Sequence, residues 1–339
     1  MSGELLHGGR LRQAALRYAI PAERWLDLST GINPHGWPVP ALSPESWRRL
    51  PEENDGLEEA AAGYYGCGTL LPVAGSQAAI QLLPRLRERS RVALLTPAYA
   101  EHRRAWQEAG HQVSELTSAQ IAGQLDQFDV VVVINPNNPS GERFSRSQML
   151  DWHQRLAARG GWLLIDEAFI DATPEQSVAA SAGREGLIVL RSLGKFFGLA
   201  GVRAGFVLAW PSLLMSLKVR LGPWCVSGPA REAARLALRD EPWQLQMRPR
   251  LHAEGERLAT LLHRHSLLPA GGTALFQWVR RDDALDWHEA LAQRAILTRP
   301  FAEPRALRFG LPGSENEWQR METALRECAI ELNSISEVV

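Results

Sequence analysis

The run Asp129-Val130-Val131-Val132-Val133-Ile134, followed at once by Asn135-Pro136-Asn137-Asn138-Pro139-Ser140-Gly141, decides the fold. Unbroken β-branched residues without apolar–polar alternation suit a strand covered on both faces, as in parallel sheets. The loop that follows is fixed by two prolines and a glycine, and in open α/β sheets ligands bind at the carboxyl ends of strands. A second such run, Gly161-Trp162-Leu163-Leu164-Ile165-Asp166-Glu167-Ala168, brings a carboxylate to its own end. Outward from these, strands and helices alternate between about residues 50 and 235, which predicts a mainly parallel sheet covered by helices on both faces.

Two upstream segments extend the pattern. Leu71-Pro72-Val73-Ala74-Gly75-Ser76-Gln77-Ala78-Ala79-Ile80 reads as a short extended piece turning into a helix at Gly75-Ser76. The free N–H groups of such a turn suit a phosphate, although serine before a helix also serves as a plain N-cap. Leu94-Leu95-Thr96-Pro97-Ala98-Tyr99 brings an aromatic ring, able to stack on a flat ligand, to the end of another strand.

The chemistry lies in Ser192-Leu193-Gly194-Lys195-Phe196-Phe197-Gly198-Leu199-Ala200-Gly201-Val202-Arg203-Ala204-Gly205. Lysine between glycines is by itself an ordinary solvated loop residue. With a serine before it and an arginine after, it can condense with an aldehyde while its neighbours grip a phosphate. Pyridoxal 5′-phosphate (PLP) carries both groups, and it is an electron sink for carbanions at an amino-acid α-carbon. Asp166 can keep the pyridinium nitrogen protonated, and an amide of the Asn-Pro loop can donate to the ring oxygen.

In this order, the five segments resemble the class I/II aminotransferase family of fold-type I PLP enzymes, over nearly the whole chain. The spacings from Asn138 to Asp166 and from Lys195 to Arg203 look like those of the family. The resemblance implies an aspartate-aminotransferase-like fold: a large α/β PLP domain with a mainly parallel sheet, and a smaller α+β domain. It implies that Lys195 is the Schiff-base lysine and Asp166 the pyridine partner. Asn138 would bond the ring oxygen, Tyr99 would stack on the ring, and Gly75, Ser76, Gln77, Ser192 and Arg203 would hold the phosphate. His102 falls where many members place a histidine behind the aspartate, though a surface helix histidine fits the sequence too. Phe169 departs from the family, which commonly has a tyrosine there to support the ring oxygen. The family's active sites form at dimer interfaces, so a homodimer is expected. The family usually borrows a tyrosine from the partner in the region of Arg49-Leu50-Pro51-Glu52-Glu53-Asn54-Asp55, which has none, and Tyr64 and Tyr65 follow on the next helix.

Both ends refine the expectation. His7-Gly8-Gly9-Arg10 and Trp25-Leu26-Asp27-Leu28-Ser29-Thr30-Gly31-Ile32-Asn33-Pro34-His35-Gly36 resemble the subgroup that decarboxylates O-phosphothreonine in cobalamin biosynthesis. That subgroup is a close relative of the histidinol-phosphate aminotransferases. Backbone beside paired glycines can approach a small anion closely. Ala295-Ile296-Leu297-Thr298-Arg299-Pro300-Phe301 and Arg305-Ala306-Leu307-Arg308-Phe309-Gly310-Leu311-Pro312 each read as a short strand carrying an arginine. The resemblance implies that Arg308 grips the substrate α-carboxylate and that Arg299 helps bind a phosphate ester. His7, Gly8, Gly31 and Asn138 would complete a site for a phosphorylated amino acid. Decarboxylation of O-phospho-L-threonine to (R)-1-aminopropan-2-yl phosphate is the expectation. Transamination of a phosphorylated substrate such as histidinol phosphate stays open beside it, because the bond broken depends on sub-ångström placement.

Residues 1–45, with prolines at 21, 34, 38, 40 and 44, read as an arm packing with the small domain; 46–240 reads as the large PLP-binding domain and 241–339 as the small C-terminal domain. The latter contains a helix with Leu251, Leu258, Leu261 and Leu262 on one side, then a strand Ala274–Val279, a helix near Trp287 and the two arginine strands. A final helix opens on the capping box Ser314-Glu315-Asn316-Glu317. A net charge of −1 gives no basic face for nucleic acid or membrane. A DNA-binding module ahead of residue 50 has no room, the apolar runs are strand-sized, and the start has no apolar signal core. Three scattered cysteines fit neither a disulfide framework nor a metal site, and a reducing cytoplasm is the expected setting. No metal is expected: His263 and His265 have no third partner nearby in the sequence.

Overall fold

The structure, a computed structural model, describes residues 7–336. Among them are thirteen strands in chain order: β1 (Leu26–Asp27), β2 (Leu70–Val73), β3 (Arg91–Leu95), β4 (Gln112–Leu116), β5 (Val130–Ile134), β6 (Trp162–Asp166) and β7 (Leu187–Ser192), then β8 (Gly205–Leu208), β9 (Pro269–Thr273), β10 (Phe276–Arg280), β11 (Ile296–Leu297), β12 (Arg299–Phe301) and β13 (Ala306–Gly310). Two compact units contain them. One comprises residues 36–138 and 142–248; the other gathers residues 7–35, 139–141 and the chain from 249 onward.

The first unit is built on a seven-stranded sheet of order β2-β8-β7-β6-β5-β3-β4. From β7 to β4 every pairing is parallel, while β8 runs antiparallel to both β7 and β2. All residues of β5 and β6 are buried, which is why neither strand alternates in sequence. Val130, Val132, Leu164, Ile188 and Leu190 point to one face, into a core with Ile80, Leu83 and Trp106 from the covering helices. Their neighbours Val131, Val133, Leu163, Ile165 and Val189 are fully buried on the other face. Each such side chain contributes about 1.5–3 kcal/mol on burial. The register sets Ile134, Asp166 and Leu190 side by side, so β5 and β6 end level while β7 runs two residues further, to Ser192. Helices are punctuated by side-chain caps: Thr117 forms a capping box with Gln120, and Ser145 Oγ accepts from Gln148 N–H at 3.1 Å.

The second unit holds the antiparallel sheet β12-β13-β10-β9 and a parallel pairing of β1 with β11. Ala14 of the helix Leu11–Tyr18 packs with Trp25, Ala292, Ala295 and Leu297. Two sequence expectations are corrected here. The strand expected at Ala274–Val279 forms as β10 but begins two residues later, because Ala274-Leu275 is the turn joining it to β9; Thr273 Oγ1 accepts from Leu275 N–H at 3.1 Å. The run through Ile296 to Phe301 breaks at buried Thr298, whose hydroxyl meets His288 Nδ1 at 2.8 Å. The helix expected from its leucines runs from Glu241 to Arg264 and contains Pro249. The final helix, Glu315–Ser336, opens as expected: Ser314 Oγ accepts from Glu317 N–H at 3.3 Å and Glu317 Oε2 from Ser314 N–H at 3.1 Å.

Candidate active site

In the first unit the sheet register assembles one end of the site. Ser192, Gly205 and Val73 lie abreast on β7, β8 and β2, so the turn after β2 rises beside Ser192. Gly75, at φ +77°, opens the helix Ser76–Leu82, and a Cβ there would lie 2.7 Å from Arg203 Nη2. Only glycine leaves room at this turn for the guanidinium. Arg203 is exposed, has left-handed backbone, and donates from Nη1 to Ala200 O at 3.1 Å. Ser192 Oγ accepts from Gly194 N–H at 3.2 Å. The structure thus brings Gly75, Ser76, Ser192 and Arg203 to the same end of the sheet.

The other end lies at the tips of β5 and β6. Asp166 is 4% exposed, and its Oδ2 sits 3.0 Å from Nε2 of His102, itself 1% exposed. This overturns the surface-histidine alternative, since His102 is one of the most buried polar groups in the unit. Asp166 Oδ1 accepts from Ala168 N–H at 3.0 Å. The Asn-Pro loop leaves β5 beside this carboxylate: Asn135 N–H donates to Asp166 O at 2.9 Å, and Asn137 Nδ2 donates to Pro97 O at 2.8 Å. Asn138 is half-buried in that loop. Tyr99 donates from its hydroxyl to Gln77 Oε1 at 3.2 Å, and its ring meets that of His102 edge-on, 6.3 Å between centroids. Lys195 stands in the loop between β7 and β8, half-buried, with Nζ 5.3 Å from the centre of the Phe169 ring.

A second group of expected residues lies in the second unit. Arg299 and Arg308 are register partners on β12 and β13. Arg308 is 6% exposed, lies over the Phe276 ring at 5.1 Å and donates from Nη2 to Ser29 O at 2.8 Å. Burial, reinforced by the like charge of Arg299 and opposed by Asp27, brings its guanidinium down to about 9. A cation held at such cost favours an anion beside it. Ser29 is also the anchor of the His-Gly-Gly turn: its Oγ accepts from Gly9 N–H at 2.8 Å and donates to Asp27 Oδ1 at 2.5 Å. Gly8 packs so closely on Ser29 O that a Cβ would collide with it. His7 is half-buried beside this turn, and Gly31 is buried two residues beyond Ser29.

Sequence reasoning missed the groups that orient these side chains. Glu101, 7% exposed, accepts from Gln77 Nε2 at 3.0 Å and from Gln81 Nε2 at 3.2 Å, which turns the Gln77 oxygen toward Tyr99. A charged residue in the first turn of a helix reads as solvated, and nothing in the local sequence marks it as buried. Tyr64 donates to Asp171 Oδ1 at 3.0 Å, and burial followed by the Asp171 charge raises its phenol well above the ordinary value.

The family model for aminotransferase class I and II matches residues 41–325. The chain is 55% identical over 321 residues to a threonine-phosphate decarboxylase of Pseudomonas aeruginosa, covering 95% of this chain and 97% of that one. It is 42% identical to a threonine-phosphate decarboxylase of a Sinorhizobium species, covering 96% and 98%. The fold superposes, with a TM-score of 0.81 at 18% identity and coverage of 98% and 96%, on histidinol-phosphate aminotransferase from Sinorhizobium meliloti in complex with pyridoxal 5′-phosphate. The chain belongs to the class I and II aminotransferases, whose cofactor is PLP. The residues present fit that cofactor: Gly75 clears the space that Arg203 enters, an amine stands at Lys195, and a buried carboxylate is held at Asp166.

Proposed function

We propose that the protein decarboxylates O-phospho-L-threonine, releasing CO2 and leaving (R)-1-aminopropan-2-yl phosphate for cobalamin biosynthesis, and that it works as a cytoplasmic homodimer. The observation that carries the substrate reading is the register pair Arg299 and Arg308, with Arg308 braced on the same Ser29 that anchors the Gly8-Gly9 turn. A phosphorylated amino acid has two anionic groups, and two arginines with a glycine turn suit them. The relatives named threonine-phosphate decarboxylase support the choice of reaction.

Lys195 would hold the cofactor covalently; Gly75, Ser76, Gln77, Ser192 and Arg203 its phosphate, Tyr99 its ring face, Asn138 its ring oxygen and Asp166 its ring nitrogen. When bound, PLP supplies the sink for the electron pair released as the Cα–carboxylate bond breaks. Asp166, oriented by His102 at 3.0 Å, would hold the proton on the ring nitrogen. Arg308 grips the substrate carboxylate, and Arg299 with His7 grips the phosphate ester. The Lys195 amine returns a proton to Cα. Phe169, without a hydroxyl, leaves Asn138 as the donor to the ring oxygen.

Phosphorus NMR of the holoprotein incubated with O-phospho-L-threonine tests the reading. Conversion to aminopropanol phosphate without added keto acid is expected. Turnover that appears only with a keto acid, or only with histidinol phosphate, would assign the protein to the aminotransferases.

A further inference from the structure

Behind the cofactor side of the sheet lies a set of buried charges that the reaction does not use. Asp166 and Leu190 are the last register partners of β6 and β7, and the last backbone bond between the strands runs from Glu167 N–H to Leu190 O at 2.9 Å. Side chains alternate along a strand, so Asp166 and Ser192 point with Leu164 and Leu190 to one face. Glu167 and Arg191 point to the other, with Ile165 and Val189. There Arg191 Nη1 donates to Glu167 Oε2 at 2.9 Å and to Ser177 Oγ at 3.0 Å, while Nη2 pairs with Asp171 Oδ1. Glu167 also accepts from Val178 N–H at 2.9 Å. Asp171 accepts from the Tyr64 hydroxyl, and Arg248 Nε donates to Asp171 O at 3.1 Å. Glu167, Asp171 and Arg191 are at most 2% exposed.

We propose that Arg191 is a positioning residue: its bond to Glu167 fastens β6 to β7 beyond the last backbone bond, and so sets the spacing of Asp166 from Ser192 on the opposite face. Those two residues would meet opposite ends of the cofactor, so a relaxed pair of strand ends would fit it less well. The inference rests on the PLP reading above. Buried ion pairs add little stability over apolar packing, so orientation is what this arrangement contributes. Burial alone would lower the Arg191 pKa, but Asp171 and Glu167 outweigh it and hold the guanidinium charged. Arg191 also lies over the Tyr65 ring at 4.5 Å, which limits its freedom further.

The test compares Arg191→Met, Arg191→Lys and Val189→Ala. Val189 is buried on the same face without a polar contact. Each apoprotein is melted, titrated with PLP by absorbance, and its bound-cofactor spectrum followed against pH. Arg191→Met should bind PLP roughly tenfold more weakly or worse, the scale on which outer partners act at bound groups. Its spectral pH midpoint should move, and Arg191→Lys should recover part of both. Val189→Ala should lose thermal stability and keep the wild-type affinity and spectrum. If Arg191→Met fails to fold, Glu167→Gln replaces it with the same expectations. Arg191 or Glu167 variants that match Val189→Ala in affinity and spectrum at equal loss of stability would overturn the proposal. Wild-type protein that takes up no PLP would overturn the cofactor reading and this inference together, an outcome distinct from the first.

Discussion

His102 Nε2 lies 3.0 Å from Asp166 Oδ2, with both side chains out of solvent. A carboxylate so placed has one strong partner on its inner side and is oriented by it. Asp166→Asn preserves the shape and removes the charge. It should fold and bind PLP, yet lower kcat by roughly 10²–10³, the usual cost of losing one preorganised electrostatic partner. Steady-state kinetics at saturating cofactor measure this.

Lys195→Ala should abolish covalent attachment. Borohydride reduction followed by peptide mass mapping should mark Lys195 in the wild type and nothing in the variant, and kcat should fall by at least about 10²–10⁴ with the loss of the proton donor.

Arg203→Met should act on cofactor affinity. A charge-assisted bond is worth about 1.5–3 kcal/mol, so the PLP dissociation constant should rise roughly 10–100-fold, read by absorbance titration.

Much of this site was legible in the chain because it sits on continuous features. Val130–Ile134 and Trp162–Asp166 announce themselves as buried parallel strands, and the polar residues that interrupt them fall where a ligand would lie. Gly75 and Lys195 stand in turns whose glycines are local signals. What stayed hidden depends on register. That Ser192 lies abreast of Gly205 follows from β8 running against its neighbours, which four buried residues cannot reveal. Glu101 and Arg191 carry charges that read as solvated until a sheet or a helix is packed over them. Thr298 breaks an apolar run that, by pattern alone, reads as one strand.

Arg308 yields a prediction in which stability and binding part company. A base whose proton is held less firmly in the folded chain than in the unfolded one costs stability at every pH below about 9, and the cost fades as pH rises past that point. Arg308→Met removes the buried charge, so at pH 7 its melting midpoint should match or exceed that of the wild type. The KM for O-phospho-L-threonine should nonetheless rise roughly 10–100-fold through loss of a charge-assisted bond. Thermal melts and initial rates separate the two effects.

Gly8→Ala should damage the same region by a steric route. Its Cβ would collide with Ser29 O, the atom to which Arg308 also donates. KM should increase with kcat little changed, and PLP affinity should stay as in the wild type.

The most direct measurement is CO2 released from carboxyl-labelled O-phospho-L-threonine by PLP-loaded protein, with no keto acid present. Release that continues over many turnovers per active site, matched by equal aminopropanol phosphate, is the predicted result. No labelled CO2, with the cofactor converted to its amine form and restored by a keto acid, would contradict it.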